Sequence, residues 1–208
     1  MTERPTLYHM PQTRGGTTLW MDEELGGVCD LRLINLRKGE GRTPEFLKIN
    51  PMGKLPALRH RGATVTEAAA ICAYLADAFP EKGLAPATDD PMRGVYYRWM
   101  FFAPSCIEPM MLDRLGKVSR EDTKVAGHGD YERVMASINQ ALSNGPWILG
   151  EKFSAADVVM GSTLFFATMF GAIPKDGRVK DYVDRITARP AHQSMVRKNA
   201  EQAKAMGL

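Results

Sequence analysis

The sequence predicts an α+β fold in two parts: a small mixed sheet with helices on its faces, then an all-helical bundle. Three observations carry this. Short strand-like runs mix with helical patterns in the first half, and every later pattern is helical. Between them lies Pro86-Ala-Thr-Asp-Asp-Pro91, two prolines and two aspartates that make a corner. The expected organisation is residues 1–85, a linker over 86–91, and 92–208. With 208 residues, 44% apolar and 25% charged, the chain can bury a sizeable core without disulfide or metal staples.

The elements follow in order. Thr6–His9 is a short strand candidate that stops at Pro11. Residues 15–25 carry Leu19, Trp20 and Leu25 and end at Gly26-Gly27, a helix stop. Residues 28–36 alternate in part and read as a strand. Thr43-Pro44-Glu45 looks like an N-cap with Pro at the first helical position, opening a short helix to Lys48. Residues 55–59 and 63–66 flank His60-Arg61-Gly62 and read as a hairpin. Residues 67–79 form an Ala-rich helix that Pro80 ends. A βαβ unit, a short helix and a ββα unit give the order of a thioredoxin-like domain. In the second half, 92–115 is a long helix that Pro104 and Pro109 should kink. Further helices are expected over 131–142, 154–170, 179–188 and 190–205.

Several functions are excluded. Lys+Arg 27 against Asp+Glu 24 gives +3, with no block of five like charges, so neither nucleic acid nor an acidic membrane is indicated. Cys29, Cys72 and Cys106 show no C-x-x-C and no metal spacing, so a disulfide scaffold is ruled out and a reducing cytoplasm fits. The opening MTERPTLYHM lacks a signal-peptide core. The most apolar stretch, Val158 to Ile173, is too short and interrupted to span a bilayer. There is no P-loop and no G-x-S-x-G elbow. His9, His60, His128 and His192 are scattered without ligand spacing, so no metal is expected.

The informative block is Asn50-Pro-Met-Gly-Lys-Leu-Pro-Ala-Leu58, followed by Thr64-Val-Thr-Glu-Ala-Ala-Ala-Ile-Cys-Ala-Tyr-Leu-Ala76. Pro56 opens a strand, where a tight bend often needs a cis bond. Such a bend turns the amide and carbonyl of Leu55 outward, where an extended peptide can pair with them. Glu67 sits at the first turn of a helix, whose free amides favour an anion at Ala68, while Glu67 itself can take an ammonium. Alone, Pro56 reads equally as a plain strand start, and Glu67 as a charge complementing the helix dipole. Together they fit one peptide-like ligand with both an ammonium and a carboxylate.

These blocks resemble the glutathione-binding half of the glutathione transferase family. So do Pro11-Gln-Thr13-Arg14, Leu19–Gly26 and Thr43–Leu47, and Pro146–Asp157 resembles the signature of the family's helical half. The resemblance runs from Thr6 to about Val196. It implies a thioredoxin-like domain, an all-helical domain, a cytoplasmic homodimer with a detoxifying role, and glutathione as co-substrate with no permanently bound cofactor. It implies that Leu55 and cis-Pro56 hold the cysteinyl backbone and that Glu67 and Ala68 hold the γ-glutamyl end. Arg42 and Lys54 match positions that reach the glycine carboxylate. Thr13 matches the hydroxyl, usually serine, that bonds the sulfur, with Arg14 nearby. Tyr8 is the rival hydroxyl, and a helix N-cap is the other role open to Thr13. The activity implied is attack of the glutathione thiolate on an apolar electrophile. Tyr97, Met100, Phe101, Phe102 and Cys106 are candidates for the electrophile's wall, or else for core and dimer contacts.

The sequence departs from the family pattern in places. Ala68 replaces the usual serine and leaves only a backbone amide. Gly41 stands where some relatives carry histidine. No cysteine lies near Pro11, which disfavours thiol–disulfide exchange. Two alternatives follow: a glutathione-fold binding or regulatory protein with little turnover, and a glutathione-dependent peroxidase or isomerase. Ser154-x-x-Asp157 reads as a capping box that serves folding.

Overall fold

In the computed structural model, which describes residues 3–118 and 126–208, four short strands make one mixed sheet in the order β2-β1-β3-β4. β1 (Thr6–His9) leads through α1 (Gly15–Leu25) to its parallel neighbour β2 (Asp30–Leu33). After α2 (Pro44–Leu47), β3 (Ala57–His60) pairs antiparallel with both β1 and β4 (Ala63–Thr66), and α3 (Ala68–Ala78) follows. The hairpin turns at Arg61-Gly62, both at positive φ (48° and 77°), a backbone whose twist suits the flanking strands. The strand expected over 28–36 is shorter. The Asn35 side chain accepts the Lys38 amide at 3.2 Å, and this local turn ends the extended run.

Alternation gives the sheet two faces. Leu7 and Leu58, paired in the register, are wholly buried on the side of α1 and α3, with Leu19, Ile71 and Leu75. Tyr8 and Ala57, the next pair, turn to the other face. There Phe46 of α2 joins them, Met10 and Leu55 in a second cluster. α2 is set by Thr43, whose hydroxyl accepts the Phe46 amide at 3.3 Å, with Pro44 at the first helical position.

Residues 83–188 form a separate helical unit. Near the two prolines the helix changes its winding at Pro104, while Pro109 lies in the first turn of the helix that follows. α4 (Met92–Phe102) passes through a single π turn at Ala103–Ile107, which holds Pro104, into α5 (Glu108–Leu115). Among the described residues, α6 (Tyr131–Ala141), α7 (Ala155–Met169) and α8 (Gly177–Thr187) follow in this unit. Wholly buried Asp157 holds the start of α7: its carboxylate accepts the amides of Ile148 (2.7 Å) and Ser154 (2.9 Å) and the Tyr182 hydroxyl (2.9 Å). Burial pushes its pKa up to about 6. Among the described residues, no helix is long and apolar enough to cross a membrane.

The last helix, α9 (Pro190–Met206), groups differently from the expected boundaries. The compact units are 1–82 with 189–208, and 83–188. Side chains of α1 account for the return. The Arg189 guanidinium donates to both carboxylate oxygens of Glu24 at 2.7 Å, Lys198 pairs with Glu23, and Trp20 stands edge-on to His192 at 4.9 Å. Met206 and Leu208 then pack on the Tyr8–Phe46 cluster. An amphipathic pattern shows that a helix buries one face, but not against which partner.

Candidate functional site

Strand register brings the two halves of the Asn50–Ala76 block together. β3 and β4 pair from His60↔Ala63 to Ala57↔Thr66. Continuing one and two residues sets Pro56 opposite Glu67 and Leu55 opposite Ala68. The β1–β3 register ends at Tyr8↔Ala57, so the same continuation brings His9 and Met10 beside Pro56 and Leu55. One end of the sheet therefore collects the exit of β1, the entry to β3 and the starts of α1 and α3. The Leu55–Pro56 bond is cis, as the sequence led us to expect, and Leu55 lies beyond the last ladder pair.

Glu67 is exposed and held at φ 67°, ψ 122°, a backbone that side chains other than glycine rarely adopt. Such residues cost about 1–3 kcal/mol and cluster where a ligand is gripped. Its side chain makes no cap bond, so the amides of the first turn of α3, Ala68 included, open beside a free carboxylate. The site thus offers an anion acceptor and a cation acceptor on consecutive residues.

Thr13 is half-buried in the turn between β1 and α1. Its hydroxyl donates to the Met10 carbonyl at 2.7 Å and accepts the Gly15 amide at 3.1 Å. That second bond is helix capping in effect, while half-buried Arg14, at the cap position, makes no cap bond. Tyr8 goes elsewhere. Its ring packs edge-on against Phe46 at 6.0 Å, only 6% of it is exposed, and it lines a cavity of about 740 Å³ with Arg32, Lys48 and Arg59. None of Thr13, Leu55 and Glu67 lines that cavity. Parity along β1 decides this: Tyr8 shares its face with Ala57 and α2.

Arg42 and Lys54 are both exposed, and two glycines bring their loops into contact. A Cβ on Gly41 would lie 2.5 Å from Leu36 Cδ2 and 2.7 Å from the Gly53 carbonyl oxygen. One on Gly53 (φ 65°) would lie 2.6 Å from the Gly41 carbonyl oxygen and 3.4 Å from Arg42 Nε. The Arg42 side chain therefore lies over Gly53, the neighbour of Lys54. A side chain at position 41 has no room here without a shift of Leu36 or the Gly53 backbone. Nothing in the sequence alone announces the crossing of Gly41 and Gly53.

The five wall candidates do not share one surface. Met100 is 1% exposed and lies on the buried face of α4 with Tyr96 and Trp99, which suits the core role left open for these residues. Tyr97 and Phe101 are exposed neighbours, ring centroids 6.3 Å apart, and Arg93 donates to the Tyr97 hydroxyl at 2.8 Å. Phe102 and Cys106 are half-buried, and burial raises the Cys106 thiol's pKa. Among the described residues there is no group of three or more His, Cys, Asp or Glu able to hold a metal.

Comparison with known proteins matches this architecture. The family model for the glutathione S-transferase N-terminal domain covers residues 4–77, and that for the C-terminal domain covers 99–190. Glutathione S-transferase 1 of Dianthus caryophyllus is 38% identical over 150 residues, 68% of this chain and 67% of that protein. The maleylacetoacetate isomerase of Pseudomonas aeruginosa is 29% identical over 163 residues, 74% of this chain and 76% of that protein. A glutathione transferase from Burkholderia graminis, solved with two glutathione molecules bound per subunit, superposes with a TM-score of 0.74 at 28% identity, covering 93% of this chain and 87% of its own. With both domain models matched in order over more than half of its length, the chain belongs to the glutathione S-transferase family.

Proposed function

We propose that the protein is a glutathione transferase that lowers the pKa of the glutathione thiol and directs the thiolate at an apolar electrophile. The observation that carries this reading is the β3–β4 register, which ends at Ala57↔Thr66, so that Leu55–Pro56 and Glu67–Ala68 leave the hairpin at the same end. Glutathione has an extended backbone with an ammonium and a carboxylate at one end, and the hairpin end presents a partner for each. Leu55 takes the cysteinyl backbone as a strand neighbour would. Glu67 takes the γ-glutamyl ammonium, and the Ala68 amide with the first turn of α3 takes its carboxylate. Arg42 and Lys54 take the glycine carboxylate.

Thr13 is the hydroxyl we assign to the sulfur. To act, it turns its O–H from the Met10 carbonyl to the sulfur while keeping the Gly15 bond. A free thiol of pKa ~8.5 is only a few per cent ionised at pH 7, and lowering it by about two units makes the thiolate the major form. The thiol proton leaves to water. The sulfur then bonds to the electrophilic carbon, which either expels its leaving group with the bonding pair or, in an addition, passes the pair to its neighbouring atom, which takes up a proton from water. Arg14 adds positive potential near the sulfur. Tyr97, Phe101, Phe102 and Cys106 are our candidates for an apolar surface that receives the electrophile.

The Pseudomonas relative supports a second reading, in which the same thiolate adds to a cis-enedione acid and is expelled after bond rotation. Assays with glutathione and a chlorodinitrobenzene, and separately with a cis-enedione acid, test both. Turnover of the first with a Glu67→Gln penalty in KM supports conjugation; turnover of the second alone supports isomerisation. Tight glutathione binding without either activity moves the protein to a binding or regulatory role. We also propose a cytoplasmic, detoxifying homodimer; three cysteines that form no disulfide suit a reducing compartment, and sedimentation equilibrium tests the dimer.

A further inference from the structure

His9 ends β1, four residues before Thr13, and no part of it reaches solvent. Its surroundings define its tautomer. The Asn199 amide on α9 donates from Nδ2 to the Met195 sulfur at 3.0 Å, which turns Oδ1 to His9 Nε2 at 2.9 Å. An amide oxygen only accepts, so Nε2 carries the proton and Nδ1 is the bare nitrogen. Nδ1 is buried without a hydrogen-bond partner and lies against Gly15. A Cβ on Gly15 would sit 2.5 Å from Nδ1 and 3.1 Å from the Thr13 hydroxyl oxygen. The imidazole edge, the Gly15 backbone and the Thr13 hydroxyl thus form one close-packed row, and the Gly15 amide is the group that bonds Thr13. On the far side, a Cβ on Gly16 would sit 3.5 Å from Asn199 Nδ2, so α9 abuts the first turn of α1 directly.

We propose that His9 is a positioning residue for glutathione activation: Asn199 fixes the imidazole, the imidazole fixes Gly15, and Gly15 fixes the Thr13 hydroxyl. The C-terminal helix then sets the geometry of a turn built from the first fifteen residues. This rests on the assignment of Thr13 to the sulfur. Burial holds His9 neutral by lowering its pKa, against the pull of Asn199, Gly15 and Gln202, the groups that face it from α9 and α1. A neutral ring with one donor and one bare edge is a steric and hydrogen-bonding spacer rather than a charge.

The test separates positioning from general structural support. The pKa of the bound glutathione thiol is read from its thiolate absorbance, and tripeptide affinity from S-methylglutathione, whose sulfur cannot ionise. Asn199→Leu removes the acceptor and keeps the bulk. It should raise the bound thiol pKa by about half to one unit, the equivalent of one displaced hydrogen bond, while S-methylglutathione affinity changes less than about twofold. His9→Gln, which keeps a donor for Asn199 but loses the ring edge against Gly15, should shift the pKa the same way and serves if Asn199→Leu does not fold. Combined with Thr13→Ala, neither change should shift the thiol further. An unchanged thiol pKa in either folded variant, or an equal extra shift on the Thr13→Ala background, overturns the proposal. If Thr13→Ala itself leaves the thiol unmoved, the sulfur assignment fails and this inference falls with it. A shift with Thr13→Ala but none with the other two variants defeats the positioning role alone.

Discussion

Thr13 and Met10 are joined by a 2.7 Å hydrogen bond in which the hydroxyl donates to the carbonyl, while the same oxygen accepts the Gly15 amide. The hydroxyl is engaged at both its donor and its acceptor, so its role in folding and its role toward a sulfur are separable. Thr13→Ala should lower the stability of the ligand-free protein by about 1 kcal/mol, the usual cost of a lost helix cap. Thr13→Ser should keep most of it. Urea denaturation without glutathione measures both.

Glu67 sets stability against binding. Its φ of 67° suits glycine, so Glu67→Gly should raise stability by about 1 kcal/mol while removing the ammonium partner. Glu67→Gln keeps the strain and loses the charge. Both should raise KM for glutathione, but only the glycine variant should raise the melting temperature. Thermal melts beside steady-state kinetics read the two effects separately.

Gly41 and Gly53 touch through their backbones, and Leu36 closes the remaining space. Gly41→Ala should cost about 1–3 kcal/mol by overpacking and displace Arg42 from Gly53. Weaker glutathione binding should accompany it. A glutathione analogue lacking the glycine carboxylate should bind the variant and the wild type alike, which calorimetry can check.

How much of this was legible in the sequence differs residue by residue. The spacing of Leu55-Pro56 from Glu67-Ala68 around Arg61-Gly62 already implied a hairpin, and a hairpin fixes its register. Thr13 and Tyr8 were harder, because which side a residue faces turns on a single step of parity at a strand end. The Gly41–Gly53 crossing and the His9–Asn199 bond join segments far apart in the chain, and no local pattern encodes such a meeting. The docking of α9 on α1 was hidden for a related reason: its ion pairs, Glu23 with Lys198 and Glu24 with Arg189, join residues more than 160 positions apart. By composition Met100 suited a ligand wall or the core alike, and only its helical phase shows that it is buried.

Asp157 gives the helical unit a pH signature. Its folded pKa of about 6 lies above the ordinary carboxylate value because burial disfavours the charge. Between those values the folded state binds more protons than the unfolded one, so this contribution is present at low pH and is lost as pH rises through about 6. The stability of wild type minus that of Asp157→Asn should therefore be greater near pH 4 than at pH 7, by up to about 3 kcal/mol. Denaturant titrations across that range measure the difference; a difference that grows with pH would contradict it.

The most direct test of the central claim is a pH titration of bound glutathione thiolate absorbance in the wild type, Thr13→Ala and Tyr8→Phe. The account predicts a wild-type thiol pKa at least about one unit below the free value of ~8.5, restored toward it by Thr13→Ala and unmoved by Tyr8→Phe. An unshifted thiol in the wild type, or a shift abolished by Tyr8→Phe and not by Thr13→Ala, would contradict it.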